Sequence, residues 1–372
     1  MKIEHNRLKN QVIGTERELV SLHYGARDGG KKIYLQAGLH ADEVPSMLVL
    51  HHLRGLLDQA EAEGLINGEV VVVPCANPIG LSQHLMRDHL GRFDFNSGEN
   101  FNRSYPDFYA LVKDRIDGLL GLDEQQNKEL IRLQLKQALD AIECKTELDS
   151  MRLTLLKLSY DADWILDMHC DFEGLMHVYT DTPYLRPVTE LARFVGAETL
   201  LYAEGSGGSA FDESQSSVWY RLKNDYAGQY PIPLAGCGVT IEYRGESDVS
   251  HSLARQDALR LFDWLKSINV VAQDAPETPE ALFTATPLAG CESLVSPCSG
   301  VLVYLRELGE EIEVGDVVAE VISPFDRSIK EVRATIAGKF FARENRRFAT
   351  AGMSVGKVAG AQAFRSGPLL GA

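Results

Sequence analysis

Two apolar runs constrain this chain most. Lys32-Ile33-Tyr34-Leu35-Gln36-Ala37 and Glu69-Val70-Val71-Val72-Val73-Pro74 flank a stretch, 45 to about 62, whose apolar residues recur at helical spacing. Uninterrupted β-branched runs are the mark of strands buried on both faces. Pro45 suits a first helical turn. Strand, helix, strand in that order predicts a right-handed crossover and an α/β sheet.

Further elements extend the pattern. Residues 106–160 are rich in Leu, Lys, Glu and Gln at helical spacing, which predicts two helices. Asp163-Trp164-Ile165-Leu166-Asp167-Met168 reads as a strand ending at His169, and Gly238-Val239-Thr240-Ile241-Glu242-Tyr243 as a late one. Strands are also expected at 175–180 and 199–203, and a helix at roughly 249–268. Gln273-Asp274-Ala275-Pro276-Glu277-Thr278-Pro279 then reads as a polar linker. Beyond it, short strands with glycines at turns predict a small all-β domain. At 372 residues two domains are the default. The boundaries predicted are 1–272 for the α/β unit, 273–287 for the linker and 288–372 for the β domain.

Composition narrows the function classes. The net charge is −16 with no basic stripe, which argues against nucleic acid and anionic membranes as partners. No apolar run reaches bilayer-spanning length, and no apolar core follows the first residues, so a cytoplasmic protein is expected. The six cysteines, at 75, 144, 170, 237, 291 and 298, have no paired spacing and read as small hydrophobes in a reducing compartment.

The segment Gly38-Leu39-His40-Ala41-Asp42-Glu43 stands where a buried strand gives way to a helix, and His169 follows another such strand. Ligands bind outside the carboxyl ends of strands in open α/β sheets. Residues three apart in a helical turn lie about 5–6 Å apart, so one ion can bridge His40 and Glu43. Two histidines and one glutamate leave a coordination position open, the pattern of a catalytic zinc site. Asp167 or Asp171 is placed to orient a ligand from behind. His51, His52, His84, His89, His177 and His251 lack such a setting.

Glu242 lies inside an apolar strand, where an unpaired carboxylate is costly. It reads equally as a general base near the metal or as the partner of Arg244 or a solvent-facing edge residue. Asn102 and Arg103 follow a loop rich in glycine and asparagine. The planar guanidinium suits a substrate carboxylate, or a pairing with one of the chain's many acids.

Together these residues resemble one family. Gly38-x-His40-x-x-Glu43, Asn77-Pro78-x-Gly80, Asn102-Arg103-x-Tyr105-Pro106, Asp167-Met168-His169 and Thr240-Ile241-Glu242 match, in order, the succinylglutamate desuccinylase/aspartoacylase family of the zinc carboxypeptidase-like superfamily. The resemblance covers roughly residues 30–265. It implies a three-layer carboxypeptidase-like mixed sheet with helices on both faces. The C-terminal part is similar to the appended domain of this family, a biotinyl/lipoyl-like barrel-sandwich. Its hairpin, Val321-Ile322-Ser323-Pro324, lacks a Met-Lys-Met signature, so no carrier lysine is expected.

By this resemblance His40, Glu43 and His169 hold one zinc ion per chain, and Glu242 is the general base. Asn102 and Arg103 bind the carboxylate of a small-molecule substrate. Arg92, with Arg87 as the alternative, polarises the scissile carbonyl. Two departures stand out. Residues 228–241 contain no arginine or lysine, and the third-ligand motif reads Asp-Met-His-Cys. Both put N-acetylaspartate and N-succinylglutamate in doubt as substrates. A metallocarboxypeptidase and a catalytically silent binding protein are the rival readings. Self-association is left open.

Overall fold

The computed structural model describes residues 1–9, 12–26, 29–367 and 369. The last residues assigned to the β domain, 370–372, therefore lie outside the described ones. In chain order the first part holds β1 (Lys2–Arg7), β2 (Glu18–Gly25), β3 (Lys31–Ala37), α1 (Pro45–Ala62) and β4 (Gly68–Val73). A small hairpin follows, β5 (His84–Leu85) and β6 (Asp88–His89), then α2 (Phe108–Ile116), α3 (Glu124–Asp140) and α4 (Glu147–Ser159). Next come β7 (Trp164–Asp171), β8 (Glu173–Gly174), β9 (His177–Asp181), α5 (Leu185–Val195), β10 (Thr199–Ala203), α6 (Phe211–Asp225), β11 (Cys237–Gly245) and α7 (His251–Ser267).

With β12 (Ala285–Pro287), these strands build a nine-stranded mixed sheet in the order β1-β2-β4-β3-β7-β11-β9-β10-β12. The central β4-β3-β7-β11 run is parallel. Alternation decides which face each side chain serves. Ile33, Leu35, Leu166, Met168, Val239 and Ile241 pack on α1, α5 and α7. Tyr34, Val71, Val73 and Ile165 pack on α2, α3, α4 and α6. Both faces are covered, so the strands read as continuous apolar runs.

Several elements differ from expectation. Residues 106–160 form three helices, because Asp123 caps α3 and a Thr146–Asp149 capping box starts α4 inside that polar stretch. β7 continues through Asp171, so His169 sits within the strand. His40 and Glu43 occupy a turn before α1, closed by the Glu43 N–H donating to the His40 carbonyl at 3.2 Å. Ala285–Pro287, at the end of the segment read as linker, pairs with β10 at the edge of the large sheet.

The C-terminal part holds β13 (Cys291–Val295), β14 (Gly300–Tyr304), β15 (Glu311–Ile312), β16 (Val317–Ile322), β17 (Ile329–Arg333), β18 (Gly338–Arg343), β19 (Phe348–Ala349) and β20 (Ser354–Ala359). They form two small sheets, β13-β20-β18-β15 and β17-β16-β14-β19, around a core that includes Leu302, Val321, Phe340 and Val358. β8 of the first part adds to β18, with Ala342 opposite Gly174 and Arg343 opposite Glu173. Arg343 and Arg347 both pair with Glu173, at 2.6 Å. No helix among the described residues is long and apolar enough to cross a membrane. All six cysteines are unpaired, three of them buried.

Candidate metal centre and cavity

β3 ends at Ala37, and Gly38 after it turns the chain sharply with a φ of +67°; a Cβ there would meet Met47 Cε at 2.1 Å. The turn delivers His40 and Glu43 to the carboxyl end of the sheet. β7 delivers His169 from the neighbouring strand. All three are nearly inaccessible, at 4, 3 and 2% exposure. Glu43 lies between the rings: Oε1 is 2.9 Å from His40 Nδ1 and Oε2 is 2.7 Å from His169 Nδ1. One ligand atom from each residue falls within 4.8 Å of the others.

The far nitrogens also face oxygen. Asn100 Oδ1 accepts from the Asn102 N–H and lies 2.8 Å from His40 Nε2. His169 Nε2 is 2.9 Å from Asp167 Oδ2, although the two are not aligned for a hydrogen bond, and 3.3 Å from Asn102 Nδ2. His40 has an oxygen at each ring nitrogen, and a neutral imidazole with its one N–H cannot donate to both. A cation among His40 Nδ1, His169 Nδ1 and Glu43 would remove that conflict at His40. The donor set fits a metal.

Without an ion, the buried charges of the cluster act on one another. Burial lowers the pKa of His40, only partly opposed by the Glu43 charge. Burial alone would raise Glu43, but His40 and His169 hold it well below the usual carboxylate range. For His169 burial is likewise outweighed, and Asp167 and Glu43 push it well above the ordinary value.

Arg92 reaches the same cluster, its Nη1 2.9 Å from Glu43 Oε1 and 3.3 Å from His40 Nδ1. Its loop is stitched to the His40–Glu43 turn by the Ala41 N–H donating to the Gly91 carbonyl at 3.0 Å. A Cβ on Gly91 would fall 2.3 Å from the Asp42 nitrogen, so only glycine fits there. Arg87 stands elsewhere: it is exposed in the turn between β5 and β6, at φ +83°, away from the cavity.

Asn102 Oδ1 accepts from the Phe211 N–H at 2.9 Å, which ties its loop to the start of α6. Arg103 lines the cavity, its Nη1 donating to the Asn102 carbonyl at 2.8 Å, packed against Gly208, where a Cβ would collide with its side chain. Glu242 pairs across the sheet with His169 of β7 and His177 of β9. Its Oε2 is buried with no hydrogen-bond partner among the described residues. Burial pushes its carboxyl up to about 8, with the Glu43 charge adding and His169 opposing. Arg244 pairs with Asp257 instead.

These residues share one cavity of about 700 Å³. Its lining also combines apolar groups, among them Leu201, Leu288 and Phe341, with the carboxyl groups of Asp181, Asp212 and Glu213. Burial pushes Asp181 and Asp212 each up to about 7. Sequence reasoning missed this wall. Asp212 stands in the first turn of α6, where an acid is ordinary, and Asp181 ends a short strand. It also missed Lys357 of β20, which reaches the cavity and pairs with Asp171, and Arg152, which donates to the Asn100 carbonyl at 3.0 Å.

Comparison with known proteins bears on this geometry. Residues 29–121 match the family described as the Succinylglutamate desuccinylase/Aspartoacylase catalytic domain. Over that span, about a quarter of its length, the chain is similar to that family. The matched span contains His40, Glu43, Arg92, Asn102 and Arg103. No curated protein matches the chain. Among solved structures, a provisionally assigned succinylglutamate desuccinylase/aspartoacylase family protein from Shewanella amazonensis SB2B superposes with TM-score 0.85 at 21% identity, covering 96% of this chain and 98% of that one. A succinylglutamate desuccinylase/aspartoacylase from Rhodobacter sphaeroides gives 0.66 at 17%, covering 97% and 95%. The product-bound Ectoine utilization protein EutE (DoeB) from Ruegeria pomeroyi gives 0.64 at 16%, covering 96% and 95%. At these identities the likeness concerns the fold.

Proposed function

We propose that this protein is a zinc-dependent hydrolase that cleaves the amide bond of an N-acyl amino acid or a related small carboxylate. The observation that carries the reading is the buried His40–Glu43–His169 cluster, both imidazoles aimed through Nδ1, with the unpartnered Oε2 of Glu242 in the same cavity. His40, Glu43 and His169 would hold one zinc ion. Zinc in such a site acts as a Lewis acid and makes water acidic enough to supply hydroxide near neutral pH.

The chain's own groups account for the rest. Glu242 Oε2 accepts the proton of the attacking water as its oxygen bonds to the carbonyl carbon. Glu242 then hands that proton to the nitrogen as the carbon–nitrogen bond breaks, leaving acid and amine. Arg92, already beside Glu43, stabilises negative charge on the carbonyl oxygen. Arg103 and Asn102 hold the substrate's carboxylate.

The cavity also bears on the substrate. About 700 Å³, walled partly by β18 and β20, is the size of a small-molecule site, which favours a deacylase over a peptidase. We read strands β13–β20 as the barrel-sandwich unit that supplies this wall. The acidic groups Asp181, Asp212 and Glu213 in the lining offer no cation to a second carboxylate, in keeping with a substrate other than N-acetylaspartate or N-succinylglutamate. The test is turnover of a panel of N-acyl amino acids and of peptides by zinc-loaded protein. Zinc binding without hydrolysis anywhere in the panel would leave only the silent binding protein.

A further inference from the structure

β11 falls out of step with β7 directly after Glu242. Glu242 pairs with His169, and the next pair is Gly245 with Asp171, so three residues of β11 span two of β7. The extra residue is a β-bulge, and Arg244 takes it up at φ +62°. A positive φ is strained for a long side chain and persists only where the surroundings impose it. Here Gly245 helps, since a Cβ on it would meet the Phe172 carbonyl oxygen at 2.9 Å.

The bulge changes which way Arg244 points. In unbroken alternation residues 242, 244 and 246 share a face. Glu242 and Glu246 do line the cavity, but Arg244 does not. Its guanidinium turns to the opposite side of the sheet, where both nitrogens of its fork meet Asp257 of α7, one of them at 3.3 Å. Asp257 is 2% exposed. Without the bulge Arg244 would stand about 7 Å along the strand from Glu242 on the same face, within reach of its carboxylate. A carboxylate held by a guanidinium is a poor proton acceptor.

We propose that Arg244 and Asp257 form a positioning pair that withholds a cation from Glu242. The bulge turns Arg244 out of the cavity, and Asp257 keeps it out. This rests on Glu242 being the base.

The test uses zinc-loaded protein and whichever N-acyl amino acid of the panel is turned over best. Asp257→Asn frees the guanidinium and is expected to lower kcat roughly tenfold or more, with KM and zinc content within about twofold of the parent. Adding Arg244→Gly to that variant removes the guanidinium and suits the positive φ. The double variant should recover kcat to within about threefold of the parent. A purely structural ion pair predicts the opposite: the double variant is no more active than Asp257→Asn, and that result overturns the proposal. If Asp257→Asn does not fold, Arg244→Gly alone decides: near-parental kcat supports the proposal, and a tenfold loss overturns it. Glu242→Gln is run alongside, because retained activity there sinks the base assignment itself, whatever the pair does.

Discussion

His40 Nε2 lies 2.8 Å from Asn100 Oδ1, a residue sixty positions later in the chain. Because that oxygen already accepts the Asn102 N–H, it is fixed as an acceptor, and His40 must donate through Nε2. The lone pair is thereby left on Nδ1, facing Glu43. Asn100→Ala removes the lock on the tautomer and is expected to weaken zinc binding roughly 10–100-fold. Competition against a chromophoric chelator measures this, and an unchanged affinity would refute the role given to Asn100.

Glu242→Gln keeps shape and removes the proton acceptor. Turnover should fall roughly 10²–10⁴-fold while zinc stays near one per chain and KM moves little. Metal analysis beside steady-state kinetics separates this from loss of the ion.

Two arginines that the sequence left as alternatives are distinguished by position. Arg92 contacts Glu43, whereas Arg87 is exposed in a hairpin turn. Arg92→Ala should lower kcat roughly 10²–10³-fold, and Arg87→Ala should leave it within about twofold. Equal effects on kcat would overturn the assignment. Gly91→Ala drives a Cβ to within 2.3 Å of the Asp42 nitrogen, so it should also displace Arg92 and depress kcat.

The acidic wall of the cavity makes stability depend on pH. Burial raises Asp181 and Asp212 from 3.8 to about 7, the Ser216 hydrogen bond opposing it at Asp181 and the Glu213 charge reinforcing it at Asp212. A raised folded pKa favours the protonated folded state. That contribution is complete below the unfolded value near 4 and is lost as pH rises to about 7. Asp181→Asn and Asp212→Asn should therefore each stabilise the protein at pH 8, by up to about 4 kcal/mol, and clearly less at pH 5. Thermal melts at the two values check it; equal shifts would contradict the reading.

The sequence carried much of this, for identifiable reasons. β3, β4, β7 and β11 were legible because burial on both faces demands unbroken apolar runs. His40, Glu43 and His169 were legible because they stand at the ends of those runs. β1 and β2 were not, since half their residues face solvent and the strands take their identity from pairing with each other and with β4. α5 and α6 went unread; α6 is polar, and its first N–H is held by Asn102, more than a hundred residues away. Glu242 was legible as an anomaly but not as a choice between base and ion pair. The bulge at Arg244 removes the ion-pair reading, and bulges leave no mark in composition.

The two hydrogen-bonded residues of β8 have a wider consequence. They follow His169 by only a few positions, and they dock the C-terminal strands onto the chain segment that carries the chemistry. A protein cut at the polar stretch near 273–279 would keep every proposed metal ligand and the proposed base, yet it would lose one wall of its cavity and bare an unpaired strand edge. On the proposed reading the reacting groups all lie in the earlier stretch, while the later one shares in shaping the cavity through β18 and β20. Substitutions in the later stretch could then alter what the proposed site accepts while the proposed metal ligands and base stay untouched.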